Sequence, residues 1–302
     1  MKISIIVNPV SGTNSARNRA KRIVKELEEH FCITAQYTKY AGHAVELTKD
    51  AVTSGCEILL AVGGDGTVNE IASALIGTET ALIIVGTGSG NGLARDLGMF
   101  GLSAKQVIEQ IEKNSPYKID SGVADGKAFF CTCGTGFDAL IGHLFAQTKV
   151  RGFLTYIKLS LKAYFNYKPQ TYTLKTDKGE TTHEAFVLNI ANNKQFGNNA
   201  YIAPMANLQD GLFTVTIIKP FKWYHVPYMA YSLFFKKMHT NKFVETFDCG
   251  DCTLILPNSD TEPVEVPITD RTKSYLHIDG EPIIQSSNQI EIHIQPGSLK
   301  VL

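Results

Sequence analysis

A chain of 302 residues that is 44% hydrophobic and 19% charged has the composition of an ordinary soluble globular protein, with length enough for two packed domains. Its 29 Lys and Arg balance 29 Asp and Glu, which excludes recruitment of nucleic acid by a global basic field; any electrostatic attraction must be local. No run approaches the length of a membrane span, and the short strand-like run after Lys2 is no signal-peptide core, so the expectation is a cytoplasmic protein.

From the N-terminus, ISIIV (3–7), CITAQYT (32–38), EILLAV (57–62) and ALIIV (81–85) read as strands that are apolar on both faces, separated by helical patterns at about 15–30, 43–54 and 67–76. This βαβαβαβ order predicts a Rossmann-like parallel sheet with helices on both faces. Each strand exits into polar or glycine-rich residues: Asn8 to Gly12, Thr38 to Gly42, Gly63 to Thr67 and Gly86 to Gly92. In a parallel sheet all four exits share the carboxyl edge, where α/β folds bind ligands, so the four loops should form one site.

From about residue 119 the texture changes to shorter runs rich in Thr, Ile, Val, Tyr and Phe, broken by ADGK, TDKG, LQDG and IDGE, which predicts an antiparallel β-sandwich. The expected fold is thus α/β plus all-β. An α/β domain spans 1–119 and a sandwich with a few helices spans 120–290, while about 291–302 packs back on the first domain. Two aromatic-rich segments flanked by Lys or Arg, 151–169 and 221–239, read as helices within the β half. They serve either as cover for the sheet or as an element that meets an anionic bilayer. Pro227 predicts a break or a helix start. Six cysteines in this length make no disulfide framework and fit a reducing compartment. Cys131 and Cys133 alternate on one face of a strand; Cys249 and Cys252 have a metal-like spacing but lie too far from the first pair for joined zinc knuckles, so the thiols read as small buried hydrophobes.

The exit GGDGTVNE (63–70) is the densest. Its glycines let a backbone approach phosphate, yet Asp65 and Glu70 should repel that phosphate. No glycine loop is followed by Lys-Ser or Lys-Thr, and GTGSGNG (86–92) lacks the third glycine of the dinucleotide fingerprint, at Asn91 or Leu93. What remains is a cradle of backbone N–H groups and helix N-termini, with hydroxyls from Ser11, Thr67 and Ser89 and no fixed cation. A triphosphate there needs a divalent metal, and Mg²⁺ beside Asp65 turns the repulsion into attraction. Glu70 falls in the first turn of the next helix, where a capping role and a site role both stay open.

Taken in order, NPVSG (8–12), GGDGTVNE (63–70), GSGNGLARDLG (88–98), DSGVADGKAFFCTCGTGFDA (120–139), APMANLQDGLFTV (203–215) and HIDGEP (277–282) resemble the motifs of the diacylglycerol kinase catalytic domain family, which includes bacterial lipid kinases and sphingosine kinases. A lone GGDGT is shared with NAD kinases and phosphofructokinases, whereas the ordered set spans nearly the whole chain. The resemblance implies ATP and Mg²⁺ between the two domains and a lipid alcohol as phosphoryl acceptor, with diacylglycerol giving phosphatidic acid as the favoured case. It implies that Asn8, Pro9, Ser11, Gly12, Thr38, Gly64, Asp65, Gly66, Thr67, Asn69, Glu70 and Ser89 line the nucleotide site. It further implies that Asp120 joins Asp65 in a metal and water network, and that Asn207, Asp210 and the Leu212 carbonyl hold a second Mg²⁺. Glu281, with Asp279 beside it, is implied as the proton acceptor of catalysis. That role agrees with the chemistry, since an alcohol attacking through a loose transition state needs orientation and a late proton sink. IDGE by itself reads as a hairpin turn.

The chain departs from the family at Ser89, where bacterial diacylglycerol kinases usually have Thr, and at Gly92, where they commonly carry Asp. FGNNAYIAP (196–204) is poorer in glycine than its counterparts. A sphingoid base therefore stays open as acceptor, as do a soluble acceptor such as NAD, a sensor without turnover, and a homodimer. The expected location is peripheral, at the inner face of the membrane.

Overall fold

The structure, a computed structural model, describes residues 1–31, 33–88, 90–148, 153–257, 274–285 and 287–302. The first half runs β1 (Ile3–Val7), α1 (Asn14–Phe31), β2 (Ala35–Tyr37), α2 (His43–Thr53), β3 (Ile58–Gly63), α3 (Asp65–Leu75), β4 (Ala81–Gly86), α4 (Gly92–Asp96) and α5 (Ala104–Lys113). Next come β5 (Tyr117–Ala124), β6 (Lys127–Phe129), β7 (Thr132–Gly136), α6 (Phe137–Ala146), α7 (Phe153–Tyr164), β8 (Gln170–Thr176), β9 (Gly179–Ala185), β10 (Val187–Ala191) and β11 (Phe213–Ile218). The chain ends with α8 (Val226–Phe234), β12 (Val244–Cys249), β13 (Cys252–Ile255), β14 (Ser274–Ile278), β15 (Glu281–Gln285) and β16 (Gln289–Val301).

Strands β1 to β4 are parallel, with Ile5 opposite Leu60 and Leu60 opposite Ile83. Because both faces of these strands are apolar, both need a cover. Ile23 and Leu27 of α1 and Val107 of α5 pack with Ile5, Leu60 and Ile83 in one buried cluster. Ile71 and Leu75 of α3 pack with Leu59 and Ile84 in the other. The helices thus lie on both faces, as the βαβ pattern predicts. β2 is shorter than the run 32–38, and Cys32 lies outside the described residues.

Among the described residues one sheet follows the order β2-β1-β3-β4-β16-β13-β8-β9, with β5 on β16 and β6 on β5. β16 pairs parallel with β4 at Val301 and Leu82, and antiparallel with β5, so the sheet passes from its parallel half to its antiparallel half without a gap. A second, antiparallel sheet follows β12-β11-β10-β7-β14-β15. Phe129, Leu188, Val215, Leu254 and Ile292 fill the space between the two. The far face of the second sheet, with Val187 and Ile218, packs against Ile202, Met229 and Met238. The two aromatic-rich segments do cover this sheet, and Pro227 stands in the first turn of α8, a helix start.

ADGK and IDGE close two-residue hairpins in which both central residues have positive φ: Asp125 (49°) with Gly126 (74°), and Asp279 (48°) with Gly280 (81°). Cys131 precedes β7 and packs among the helices of the parallel half, whereas Cys133 enters the sandwich core, so the two thiols do not share a strand face. The five described cysteines are free and buried. No described helix is long and apolar enough to cross a membrane.

Candidate functional site

The strand exits meet at the carboxyl edge. Asn8 Nδ2 donates to Thr67 Oγ1 at 2.8 Å, and Thr87 Oγ1 donates to Ser11 Oγ at 3.0 Å. Gly12, at φ 77°, passes so close to the β4 exit that a Cβ would stand 2.0 Å from the Thr87 carbonyl oxygen. A Cβ on Gly64 would meet Ser11 Oγ at 2.9 Å. The second exit joins through Glu70, whose Oε1 accepts from Gly42 N–H at 2.9 Å. Gly42 is the left-handed residue just before α2, so Glu70 ties the loop that follows Thr38 to α3. Ser89 lies outside the described residues.

Asp65, the first residue of α3, reaches across to the β4 exit. Its Oδ2 accepts from Asn91 N–H at 2.9 Å and its Oδ1 from Gly92 N–H at 3.0 Å, the first free amides of α4. Only a glycine fits at position 90, since a Cβ there would lie 2.7 Å from Asp65 Oδ2. Gly92 is equally confined: a Cβ would meet Cys131 Sγ at 3.0 Å and the Gln195 carbonyl at 3.3 Å, so the aspartate expected from relatives has no room here. The segment 196–204 closes over this loop, with Gly197 at φ 114°, Asn198 at 51° and Asn199 at 60°. Asparagine tolerates the left-handed region, which accounts for the missing glycines. Arg95 Nε donates to the Gly90 carbonyl at 2.8 Å and Nη1 to Asn199 Oδ1 at 3.2 Å, holding the two loops together.

The β14–β15 hairpin brings a second acidic group. Asp279 Oδ1 accepts from Cys131 N–H at 2.7 Å and Thr132 N–H at 3.0 Å, while Oδ2 accepts from Phe130 N–H and Asn69 Nδ2, both at 2.9 Å. Burial raises the Asp279 pKa above the ordinary aspartate value against the downward pull of these donors. Glu281 stands apart from that clamp. It is exposed, and its Oε1 lies 3.1 Å from the position of a Cβ on Gly66, against the first turn of α3. Burial, then the Asp279, Asp65 and Asp96 carboxylates, push the Cys131 thiol well above its usual range, which keeps it protonated and unreactive.

Hard oxygen donors near the α3 N-terminus include the half-buried Asp65 carboxylate and Asn91 Oδ1, a buried atom with no protein partner. This set suits Mg²⁺. Among the described residues no three His, Cys, Asp or Glu side chains gather to hold a metal alone, so an ion here would draw its remaining oxygens from the nucleotide or water. Asp120 is grouped differently. Its oxygens accept from Gly211 N–H at 2.8 Å and Gly297 N–H at 2.7 Å, and it lines neither cavity that Asp65 lines. It therefore anchors the turn that carries Asn207, Asp210 and Leu212. Within that turn Asn207 Oδ1 accepts from Gln209 N–H at 3.2 Å and Asp210 Oδ1 from Leu212 N–H at 3.0 Å.

Asp65, Cys131 and Asp279 also line the polar end of a cavity of about 590 Å³. Its walls are mostly apolar, with Phe137, Tyr164, Phe186, Phe221, Met229 and Leu233 among them. One polar pair stands in the wall: His277 Nε2 and Asp138 Oδ2, 3.0 Å apart. His277, Gly134 and Asn189 are neighbours across three strands, and a Cβ on Gly134 would lie 2.7 Å from both flanking side chains. Asp138, His277 and Asn91 sit inside the motifs GTGFDA, HIDGEP and GSGNGLARDLG, but no role was assigned to them from the sequence; the packed site singles them out.

Comparison with known proteins agrees with this architecture. The model of the diacylglycerol kinase catalytic domain matches residues 2–124, and that of the YegS C-terminal NAD kinase beta sandwich-like domain matches residues 131–302. A probable lipid kinase YegS-like protein of Chromohalobacter salexigens is 29% identical over 72% of this chain and 71% of its own. The diacylglycerol kinase of Mycobacterium tuberculosis is 26% identical over 72% of each. A crystal structure of a putative diacylglycerol kinase from Bacillus anthracis superposes with a TM-score of 0.74 at 20% identity, covering 99% of this chain and 96% of the other, which establishes the shared fold.

Proposed function

This chain belongs to the family that joins a diacylglycerol kinase catalytic domain to a YegS C-terminal NAD kinase beta sandwich-like domain, and from that membership we propose that it carries the γ-phosphate of ATP, with Mg²⁺, to a lipid hydroxyl, that of diacylglycerol, giving phosphatidic acid. The observation that carries the proposal is the junction of two unlike spaces at Asp65. On one side lie the glycine-lined strand exits, on the other an apolar cavity of about 590 Å³. A soluble acceptor such as NAD has no use for the second, whereas acyl chains do.

The strand exits and the α3 N-terminus bind phosphate through backbone N–H groups. Asp65 and Asn91 Oδ1 would hold Mg²⁺ together with the nucleotide, and the ion would supply charge neutralisation on the phosphates. Asp65 also fixes the start of α4, so its carboxylate sets the shape of the phosphate loop. Glu281, against Gly66, takes the acceptor's proton as the P–O bond forms. Asp279 is a positioning residue: it locks the hairpin that presents Glu281 to Asn69 of α3. Mass spectrometry of a total lipid extract incubated with the protein and Mg-ATP tests the proposal. Phosphatidic acid is the expected new product, and a mixture with no phosphorylated lipid sinks it.

The segments at and beside α7 and α8 suit peripheral contact with a bilayer. Trp223 (63% exposed), Phe235 (64%) and Phe165 (71%) stand in solvent, as do Tyr224, Tyr228 and Tyr231 and the lysines Lys222, Lys236 and Lys237. Aromatic rings at headgroup level with flanking lysines favour an anionic surface. Replacing both Trp223 and Phe235 by Ser is expected to lower cosedimentation with vesicles containing anionic lipid by about tenfold or more. Wild-type binding should itself weaken as salt rises. Unchanged binding of the double variant would move the membrane contact elsewhere.

A further inference from the structure

The charge inside the cavity has the opposite sign to the charge at its rim. Outside, Lys222, Lys236 and Lys237 flank the exposed aromatic face. Inside, the acidic side chains are Asp65, Asp138 and Asp279, and among the described lining residues there is no Lys or Arg. The single basic group among the described lining residues, His277, has its Nε2 3.0 Å from Asp138 Oδ2. Asp65 and Asp279 are tied to backbone amides at the reacting end. Asp138 Oδ1 also accepts a backbone amide, that of Ala139 at 2.8 Å, while Oδ2 stands against His277 on the cavity wall, and the side chain is 13% exposed.

We propose that the cavity is a charge filter, with Asp138 as its specificity-determining residue, that admits acceptor lipids carrying no negative charge and turns away anionic ones. The proposal rests on the lipid-kinase reading and deepens it by naming the class of acceptor. His277 precedes Asp279 by two residues, roughly 7 Å along the strand direction, and Asp138 stands against His277 on that wall. A lipid hydroxyl reaching the Asp65 and Asp279 end therefore places the groups a few bonds behind it alongside Asp138. In diacylglycerol those groups are ester linkages without charge. In phosphatidylglycerol, which also ends in a free hydroxyl, a phosphodiester would come to lie beside a carboxylate, and among the described lining residues no Lys or Arg stands there to match it. Two like charges about 8 Å apart in a partly buried site disfavour one another by about thirtyfold, or about 2 kcal/mol. The basic rim would otherwise concentrate anionic lipids at the mouth, so an acidic interior keeps the surface that recruits the enzyme from competing as substrate.

The test uses the full chain with Mg-ATP and three short-chain acceptors: dioctanoylglycerol, dioctanoyl phosphatidylglycerol and a sphingoid base. Wild type is expected to favour dioctanoylglycerol over the anionic lipid by at least about thirtyfold in kcat/KM. Asp138→Asn should narrow that ratio by about tenfold with the KM for ATP unmoved. His277→Gln, which loosens the same hydrogen bond but keeps the carboxylate, should leave the ratio wide. Equal use of the two glycerolipids by wild type, or an unchanged ratio in Asp138→Asn, overturns the filter while leaving the lipid-kinase reading in place. Phosphorylation of the sphingoid base alone refutes diacylglycerol as acceptor but supports the filter. If no lipid is phosphorylated, native mass spectrometry of the same proteins with the same lipids decides: selective binding of the uncharged lipid that relaxes in Asp138→Asn supports the filter, and equal binding overturns it.

Discussion

Replacing Glu281 by Gln is expected to lower turnover by about 10²–10⁴-fold while the affinity for Mg-ATP stays within a small factor. The side chain keeps its length and its exposed position against the first turn of α3, so the glycine-rich strand exits are left as they are. What is lost is an oxygen that can hold the proton of the acceptor hydroxyl as the new P–O bond forms. A nucleotide-binding titration run beside the assay separates this loss from a binding defect. Turnover at the wild-type rate would remove Glu281 from the reaction and leave IDGE as a hairpin alone. Glu281→Asp offers an internal check, for it keeps the proton acceptor but shortens its reach, and an intermediate rate is expected.

The second large effect falls on the neighbouring acid and has another cause. Asp279→Asn is expected to destabilise the protein by about 2–4 kcal/mol, read from the urea midpoint, and to reduce activity with it. Each Asp279 oxygen accepts two hydrogen bonds, from Cys131 and Thr132 on one side and from Phe130 and Asn69 on the other. Whichever way the new amide turns, its NH₂ faces two donors, and these are left unsatisfied. The residues freed would include Asn69 of α3 and the segment before β7, which connect the hairpin to the parallel half. A variant with unchanged stability but no turnover would contradict this account and make Asp279 a participant in the chemistry itself.

Much of this molecule is legible along the chain, and the reason is local. The parallel half was readable because each strand is a continuous apolar run and each exit is marked by glycine, so period and punctuation suffice. The DG pairs were readable as turns because type I′ hairpins ask for residues that accept positive φ, and Asp279 with Gly280 do so. In IDGE the turn and the site coincide: the hairpin geometry aims the Asp279 carboxylate inward and sets Glu281 against Gly66. The ordered motifs from NPVSG to HIDGEP identified the family for the same reason, since each is a short stretch whose backbone does one task.

The roles of individual carboxylates were not legible, because a carboxylate's role depends on which donors the fold delivers to it. Asp65 receives two amides of α4, Glu70 receives the amide of Gly42, and Asp120 receives Gly211 and Gly297 from segments far along the chain. Glu70, which the chain alone left between a cap and a site residue, is tied to a loop by that long-range contact. Asp138 and His277 each sit inside a recognised motif, but their pairing carried no mark in the sequence, since they stand on elements 139 residues apart. The sequence by itself determined the alternation of elements, the glycine-rich edge and the family. Only the tertiary structure decided which acids are spent on backbone amides and which face open space, because hydrogen-bond partners and burial are properties of the packed chain rather than of any stretch of it.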